Sequence, residues 1–499
     1  MPWSGDACGL VDAFRAGERS PAEELEATLS AIEATDLNCF SFLDPDRARA
    51  EAEVADVSKP FGGVPTGIKE LEARTGWPAT EGSLVFRDRV ATENTTVVDR
   101  ALNVGGVVPV GLTTSSEFGG LNVSITKLNG VAHNPWKHGH TVGGSSGGSA
   151  AAVSGGLVSL ATGGDGGGSI RIPAGYTGLF GFKGTFGRTP RGPHAFMRPH
   201  TVVLGNLARS VRDAARFQDV IGGVDPTDPT SLPKHPSFED ALGTQDLAGK
   251  RVAIIPDFGG GILEDGVAEH IRAQAAVLAD AAGFEIVEGV SVDLPNLAAQ
   301  WAMGNVATLL ADLGDRWPEC ASDLTADVRL GMRLSSAMYN LHTAAVAEGM
   351  RVETNRAMAG VFDQVDFVIS ATNPGPAFPA HWQTSAGDPE WVTKLKDSPA
   401  FDLVARGLFG AIRGVAAVAP SVPNRILDAA AKRLPDMLAM GALTIISNIY
   451  GNPAVSIPAG TMSGLPIGLQ VLGRHHEDAL LFDVGLAMER AQPWPLTAP

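Results

Sequence analysis

Residues 141–156 read TVGGSSGGSAAAVSGG, and residues 157–175 continue as LVSLATGGDGGGSIRIPAG. So much glycine and serine is either a linker or a backbone bent closely around a small group. A linker joins two polar, self-contained halves and keeps one composition along its length. This stretch does neither, because AAAV, LVSLAT and SIRIPAG are apolar runs patterned for burial. Small residues in a buried segment let backbones approach closely and reach positive φ. The stretch therefore reads as core, folded around something.

Three groups in or near it carry chemistry. Ser169 follows Gly166, Gly167 and Gly168 and opens an expected helix through Ile170 and Arg171. Successive amides at such a start form an anion-binding concavity, which is what a tetrahedral oxyanion requires. Ser145 lies in another glycine-dense turn 24 residues earlier. Lys69 lies in GVPTGIKEL among apolar neighbours, where an ammonium would be poorly solvated. Each has a plainer reading. Lys69 beside Glu70 could be half of a surface ion pair, and both serines could be turn chemistry. Asp165 and Arg171 fit a buried ion pair that holds the loop better than they fit reacting groups.

The rest of the chain bounds these options. Its 499 residues are 44% hydrophobic and 19% charged, the balance of a soluble globular protein. A net charge of −17 argues against unselective binding to nucleic acid or an anionic membrane. Cys8, Cys39 and Cys320 show neither metal-ligand spacing nor a disulfide framework. The start, MPWSGDACGLVDAFRAGERS, carries Asp6 and no apolar segment, so it is not a secretory signal. No apolar run is long enough to span a bilayer. The expected compartment is the cytoplasm.

Strand and helix patterns alternate throughout, which makes the class α/β. Ser20-Pro21-Ala22-Glu23 predicts a capped helix start, with Leu25, Leu29 and Ile32 recurring at helical spacing. Strands are expected at GGVPTGIKEL, VVPVGLT (107–113) and VDFVISAT (365–372). KRVAIIPDF, a helix over 264–282 and FEIVEGV make a strand–helix–strand unit. Residues 295–363 read as mostly helical, and 376–435 as a cover containing Trp382, Phe401 and Phe409. The end, ALTIISNIYGNPAVSIPAG, GLPIGLQVLG and a helix from about Glu477 to Ala491, reads as strand, strand, helix.

Together these segments resemble the amidase signature family along nearly the whole chain. The resemblance rests on GGSSGGSAAAV (143–153), GGDGGGSIRIPAGYTGLFGFK (163–183), GVPTGIKE (63–70), NIYGNPAVSIPAG (448–460) and GLPIGLQVLG (464–473). It implies the fold of that family, a large mixed central sheet covered by helices on both faces. It implies one domain over 1–499, with a helical start (1–60), a signature core (61–222), a mostly helical middle (223–440) and a C-terminal return to the core (441–499). It makes Ser169 the nucleophile, Lys69 the base and Ser145 a bridging serine entered through a cis Gly144–Ser145 peptide. The amides of Gly166, Gly167, Gly168 and Ser169 would form the oxyanion hole, and Ser146 would support the network.

The chemistry is coherent on its own terms. Serine is a weak nucleophile until a base removes its proton. Lysine is a base only when neutral, and burial drives its pKa down from about 10.4. A hydroxyl both donates and accepts, so Ser145 can pass a proton either way between Ser169 and Lys69. The expected activity is hydrolysis of a small carboxamide, with esters, carbamates or cyclic amides as further substrates. No metal or cofactor is expected; the resemblance suggests a homodimer. Departures from the family pattern are Glu70 where Asp is usual, GFKGT at 181–185, Leu112 in GLTTSSEFG and Tyr450 in NIYGNP, which is expected to narrow the pocket.

Three rival readings are weighed. GGSSG (143–147) fits the nucleophile elbow of Ser-His-Asp esterases, with Ser145 central and His475 or His476 as base. That motif needs a buried strand before it, and AHNPWKHGHTV is polar and broken by Pro135. Ser124-Ile-Thr-Lys127 fits S-x-x-K, without the companion motifs of penicillin-binding enzymes. The third is the amidase subunit of a glutamine-dependent amidotransferase. Glutamine-using relatives carry an acid seven residues before the Asn of N-x-x-G-x-P, and here that position is Gly441.

Overall fold

A computed structural model describes residues 1–193, 201–295, 305, 308–380 and 441–499, with isolated positions between 407 and 419. The capping box forms as its residue types dictate. Ser20 Oγ accepts from the Glu23 amide (3.2 Å), and Glu23 Oε2 accepts from the Ser20 amide (2.8 Å). The helix Pro21–Ala34 follows and buries Leu25, Thr28 and Ile32.

Thirteen strands are described. They are β1 (Phe40–Leu43), β2 (Pro65–Lys69), β3 (Val108–Thr113), β4 (Ile125–Thr126), β5 (Gly130–Val131), β6 (Leu160–Asp165), β7 (Phe180–Lys183), β8 (Val203–Ala208), β9 (Arg251–Ile254), β10 (Glu285–Ile286), β11 (Phe367–Ala371), β12 (Ala454–Met462) and β13 (Leu465–Leu472). Eleven join one sheet in the order β1-β3-β2-β6-β8-β7-β12-β13-β11-β9-β10, and β4 pairs with β5 apart from it. The sheet is mixed. β2 runs parallel to β3 and β6, β11 and β10 run parallel to β9, and the remaining pairs are antiparallel. Its central strands β2, β6, β7, β8, β11 and β13 are buried along their whole length, as strands covered on both faces must be.

Two short helices sit against the centre. Gly147–Ser154 is buried at all eight positions, and its small side chains let it lie close to β2, β6 and β8. Gly148 packs so tightly that a Cβ there would run into the Thr114 backbone. Arg171–Thr177 is likewise buried throughout and packs on β7, β12 and β13.

Two expectations are corrected in detail. The run ALTIISNIYG is not a strand: Ile445–Tyr450 is a helix, closed by Gly451 in the left-handed region. Its β-branched residues favour strand, but tertiary hydrogen bonds made by the Thr444 carbonyl and the Asn448 side chain decide otherwise. FEIVEGV contributes only the exposed two-residue edge strand β10. Most of the cover read at 376–435, with Trp382, Phe401 and Phe409, lies outside the described residues.

Candidate active site

Lys69 is the last residue of β2. Its amide donates to Thr162 Oγ1 of β6 (2.8 Å), so the pairing of β2 with β6 fixes where the side chain leaves the sheet. Lys69 is 2% exposed. Its Nζ lies 2.8 Å from Ser145 Oγ, 2.8 Å from Ser146 Oγ and 3.4 Å from the Gly164 carbonyl. The surface-pair reading fails. Glu70 directly follows β2 and is itself buried, so neither residue is at the surface. Glu70 Oε1 accepts from the Ser115 amide (2.6 Å) and Oε2 from Asn129 Nδ2 (2.8 Å). Burial raises the Glu70 pKa against these hydrogen bonds.

The glycine stretch turns in front of Lys69. The Gly144–Ser145 peptide is cis. Ser124 Oγ braces the turn, donating to the Gly143 carbonyl (3.0 Å) and accepting from the Gly147 amide (3.2 Å). That gives Ser124 a structural role, while Lys127 Nζ reaches the Ser322 carbonyl instead (2.9 Å). The Ser146 amide donates to the Ser169 carbonyl (3.2 Å), which brings the two serine-bearing segments side by side. Ser145 and Ser169 are 2% and 5% exposed. Residues 141–146 are not a strand, so the nucleophile elbow that the esterase reading needs does not form, and His475 Nε2 is paired with the Tyr450 carbonyl (2.7 Å).

The segment leading to Ser169 is held by a buried carboxylate. Asp165 Oδ1 accepts from the Gly168 amide (2.7 Å), and Oδ2 from the amides of Ile170 (3.2 Å) and Arg171 (3.3 Å). Arg171 Nη2 and Nε close on the same carboxylate at 2.9 and 3.0 Å. Burial alone would raise the Asp165 pKa, but the Arg171 guanidinium outweighs it and holds the carboxyl well below the usual range. Arg171 also donates to Gln470 Oε1 (2.6 Å), Asn448 Oδ1 (2.7 Å) and the Thr444 carbonyl (3.0 Å). The Gly168 amide is thus already used. The amides of Gly166, Gly167 and Ser169 donate to none of the described residues.

Sequence reasoning missed Thr162, Thr444, Asn448 and Gln470 as parts of this arrangement. Asn448 and Gln470 stand inside the quoted motifs NIYGNP and GLPIGLQVLG, and Thr162 and Thr444 inside the quoted runs LVSLATGG and ALTIISNIYG, but nothing local pointed to their partners. The Tyr450 ring stacks at 6.0 Å on Phe362 and edges onto His475 at 4.3 Å.

A buried lysine thus faces two serine hydroxyls beside a glycine-rich segment on a mixed sheet. The family model described as Amidase matches residues 23–406, and the chain belongs to that family, the amidase signature enzymes. Among its relatives, a glutamyl-tRNA(Gln) amidotransferase subunit of Anaeromyxobacter dehalogenans (strain 2CP-C) is 34% identical, covering 96% of this chain and 94% of the relative. Among solved structures, a bacterial aryl acylamidase of the amidase signature family aligns with a TM-score of 0.83 at 25% identity, over 98% of this chain and 97% of the other. A 6-aminohexanoate cyclic dimer hydrolase in complex with substrate gives 0.81 at 25% identity, over 99% and 98%. Among the described residues no helix is long and apolar enough to cross a membrane, and no cluster of His, Cys, Asp and Glu could hold a metal ion.

Proposed function

We propose that the protein cleaves the C–N bond of a small carboxamide through an acyl-enzyme on Ser169. The observation that carries this reading is the contact of buried Lys69 Nζ with Ser145 Oγ at 2.8 Å. The role needs the neutral amine, since only that form can accept a proton. Lys69 takes the Ser145 proton, Ser145 takes that of Ser169, and Ser169 Oγ attacks the carbonyl. The oxyanion forms against the amides of Gly166, Gly167 and Ser169, with Gly168 supplying the backbone geometry and Ser146 holding Nζ. The relayed proton goes to the leaving amine, and water enters by the reverse path to release the acid.

Two versions of this chemistry differ in the fate of the amine. The free-standing hydrolase is supported by Gly441, where glutamine-using relatives hold an acid, and by similarity to an aryl acylamidase and a cyclic-amide hydrolase. The amidotransferase role is supported by the 34% identical relative. The distinguishing experiment offers the purified chain aryl, aliphatic and cyclic amides beside glutamine, and seeks a stoichiometric partner by pull-down. Turnover of simple amides without a partner supports the hydrolase; ammonia from glutamine alone, with a partner recovered, supports the amidotransferase.

Ser169→Ala should lower amide turnover by about a thousandfold or more and abolish labelling by a fluorophosphonate. Lys69→Ala should remove most turnover. A Lys69→Ala enzyme with wild-type rate and pH profile would end the assignment.

A further inference from the structure

We infer that Thr444 is a positioning residue that aims the oxyanion donors by clamping the peptide between Gly167 and Gly168. The inference rests on the reading of Ser169 as nucleophile. A trans peptide presents its carbonyl and its N–H on opposite edges of one plane. Here both edges are held. Thr444 Oγ1 donates to the Gly167 carbonyl at 2.6 Å, and the Gly168 amide donates to Asp165 Oδ1 at 2.7 Å.

The clamp is itself fixed. Thr444 is fully buried, its amide donates to the Gly441 carbonyl (3.1 Å), and its carbonyl accepts from Arg171 Nη1 (3.0 Å). Arg171 is bound to Asp165, so the hydrogen bonds run from Asp165 through Arg171 and Thr444 to Gly167 and back through Gly168. Gly168 has φ +122°, and a Cβ there would run into Thr444 Oγ1, so glycine and threonine fit as a pair.

The two amides that flank the clamped plane, those of Gly167 and Ser169, donate to none of the described residues. If the plane turned over, the Gly167 carbonyl would swing toward the reacting centre and set an acceptor where an anion must form. Holding it away keeps only donors there, which is the preorganisation that oxyanion stabilisation needs. A hydroxyl that merely satisfied a buried carbonyl would affect stability and leave the chemical step alone.

The test compares Thr444→Val, which keeps the shape and loses the donor, with Thr444→Ser, which keeps the donor. The readouts are kcat and KM on an amide the wild type turns over, the rate at which a fluorophosphonate labels Ser169, and the melting temperature. Thr444→Val should lower kcat and the labelling rate by about 10–100-fold with KM within about threefold of wild type. Thr444→Ser should stay within about threefold in all three kinetic readouts. If the valine variant fails to fold, Thr444→Ala against Thr444→Ser makes the same comparison. Wild-type kcat and labelling in folded Thr444→Val, or equal losses in the two variants, overturn the inference alone. A wild-type protein not labelled at Ser169 overturns the underlying reading and the inference with it.

Discussion

At the scale of single residues, the site sets one buried lysine beside hydroxyls and another, Lys183, beside carbonyls. Lys183 Nζ donates to the carbonyls of Asn452 (2.6 Å) and Gly184 (3.1 Å). Burial first, and Arg171 second, push its pKa down to about 7 against the pull of Asp165 and Asp478. The unfolded chain keeps the ordinary lysine value of about 10.4 and so binds the proton across the interval above 7 that the folded chain does not. Below pH 7 both states are protonated and the penalty of burying the charge is complete. From pH 7 toward 10.4 that penalty is relieved, and stability rises. Urea midpoints at pH 7, 8, 9 and 10 should climb in the wild type and climb less in Lys183→Met; identical slopes would show that Lys183 does not titrate in this window.

At the scale of elements, helix ends tie distant parts of the chain together. The helix Ala7–Ala16 begins under Asp6, whose Oδ1 accepts from the Gly9 amide (2.8 Å). Its first two amides are taken by Asp213 of the helix Val211–Ile221, with Ala7 N–H at 3.0 Å and Cys8 N–H at 2.8 Å. Burial, then Asp6, raise the Asp213 pKa to about 7, so this carboxylate is costly when ionised and still supplies both acceptors. Asp213→Ala leaves two buried donors unmatched and should cost about 1–3 kcal/mol for each. Asp213→Asn retains one acceptor and should cost less, an order that thermal melts at fixed pH would check.

At the scale of the whole molecule, the loop beside Ser145 also carries the helical middle of the chain. The Ser116 amide reaches the Ser145 carbonyl (3.4 Å), and Glu117 Oε2 accepts from the amide of Thr325 (2.7 Å), the N-cap of the helix Ala326–Met338. Phe86, Leu313, Leu324, Val328 and Met332 form an apolar cluster there, with Phe118 and Leu121 packed against it. Glu117→Ala removes the acceptor at that helix start and should cost about 1–3 kcal/mol. Hydrogen exchange over residues 326–338 should quicken while that of β6 and β8 stays unchanged; uniform quickening would mean that Glu117 supports the core instead.

How much could be read in advance divides along the same physics. The glycine stretches, the capping box and the strands around Lys69 were legible because backbone sterics, helix capping and burial periodicity act within a few residues. Lys69, Ser145 and Ser169 could be singled out as candidates from the pattern in the chain, but the distances between them could not. Which amides are spent and which remain was decided by Asp165 carboxylate geometry, and Thr444 and Gln470 entered only because β13 and the chain before Ile445 fold back onto Arg171. The helix at Ile445–Tyr450 overrode its own strand propensity for the same reason. Local sequence determines what a segment can do alone; buried hydrogen bonds between segments hundreds of residues apart decide the rest, because a buried polar group must find its partner wherever the fold brings one.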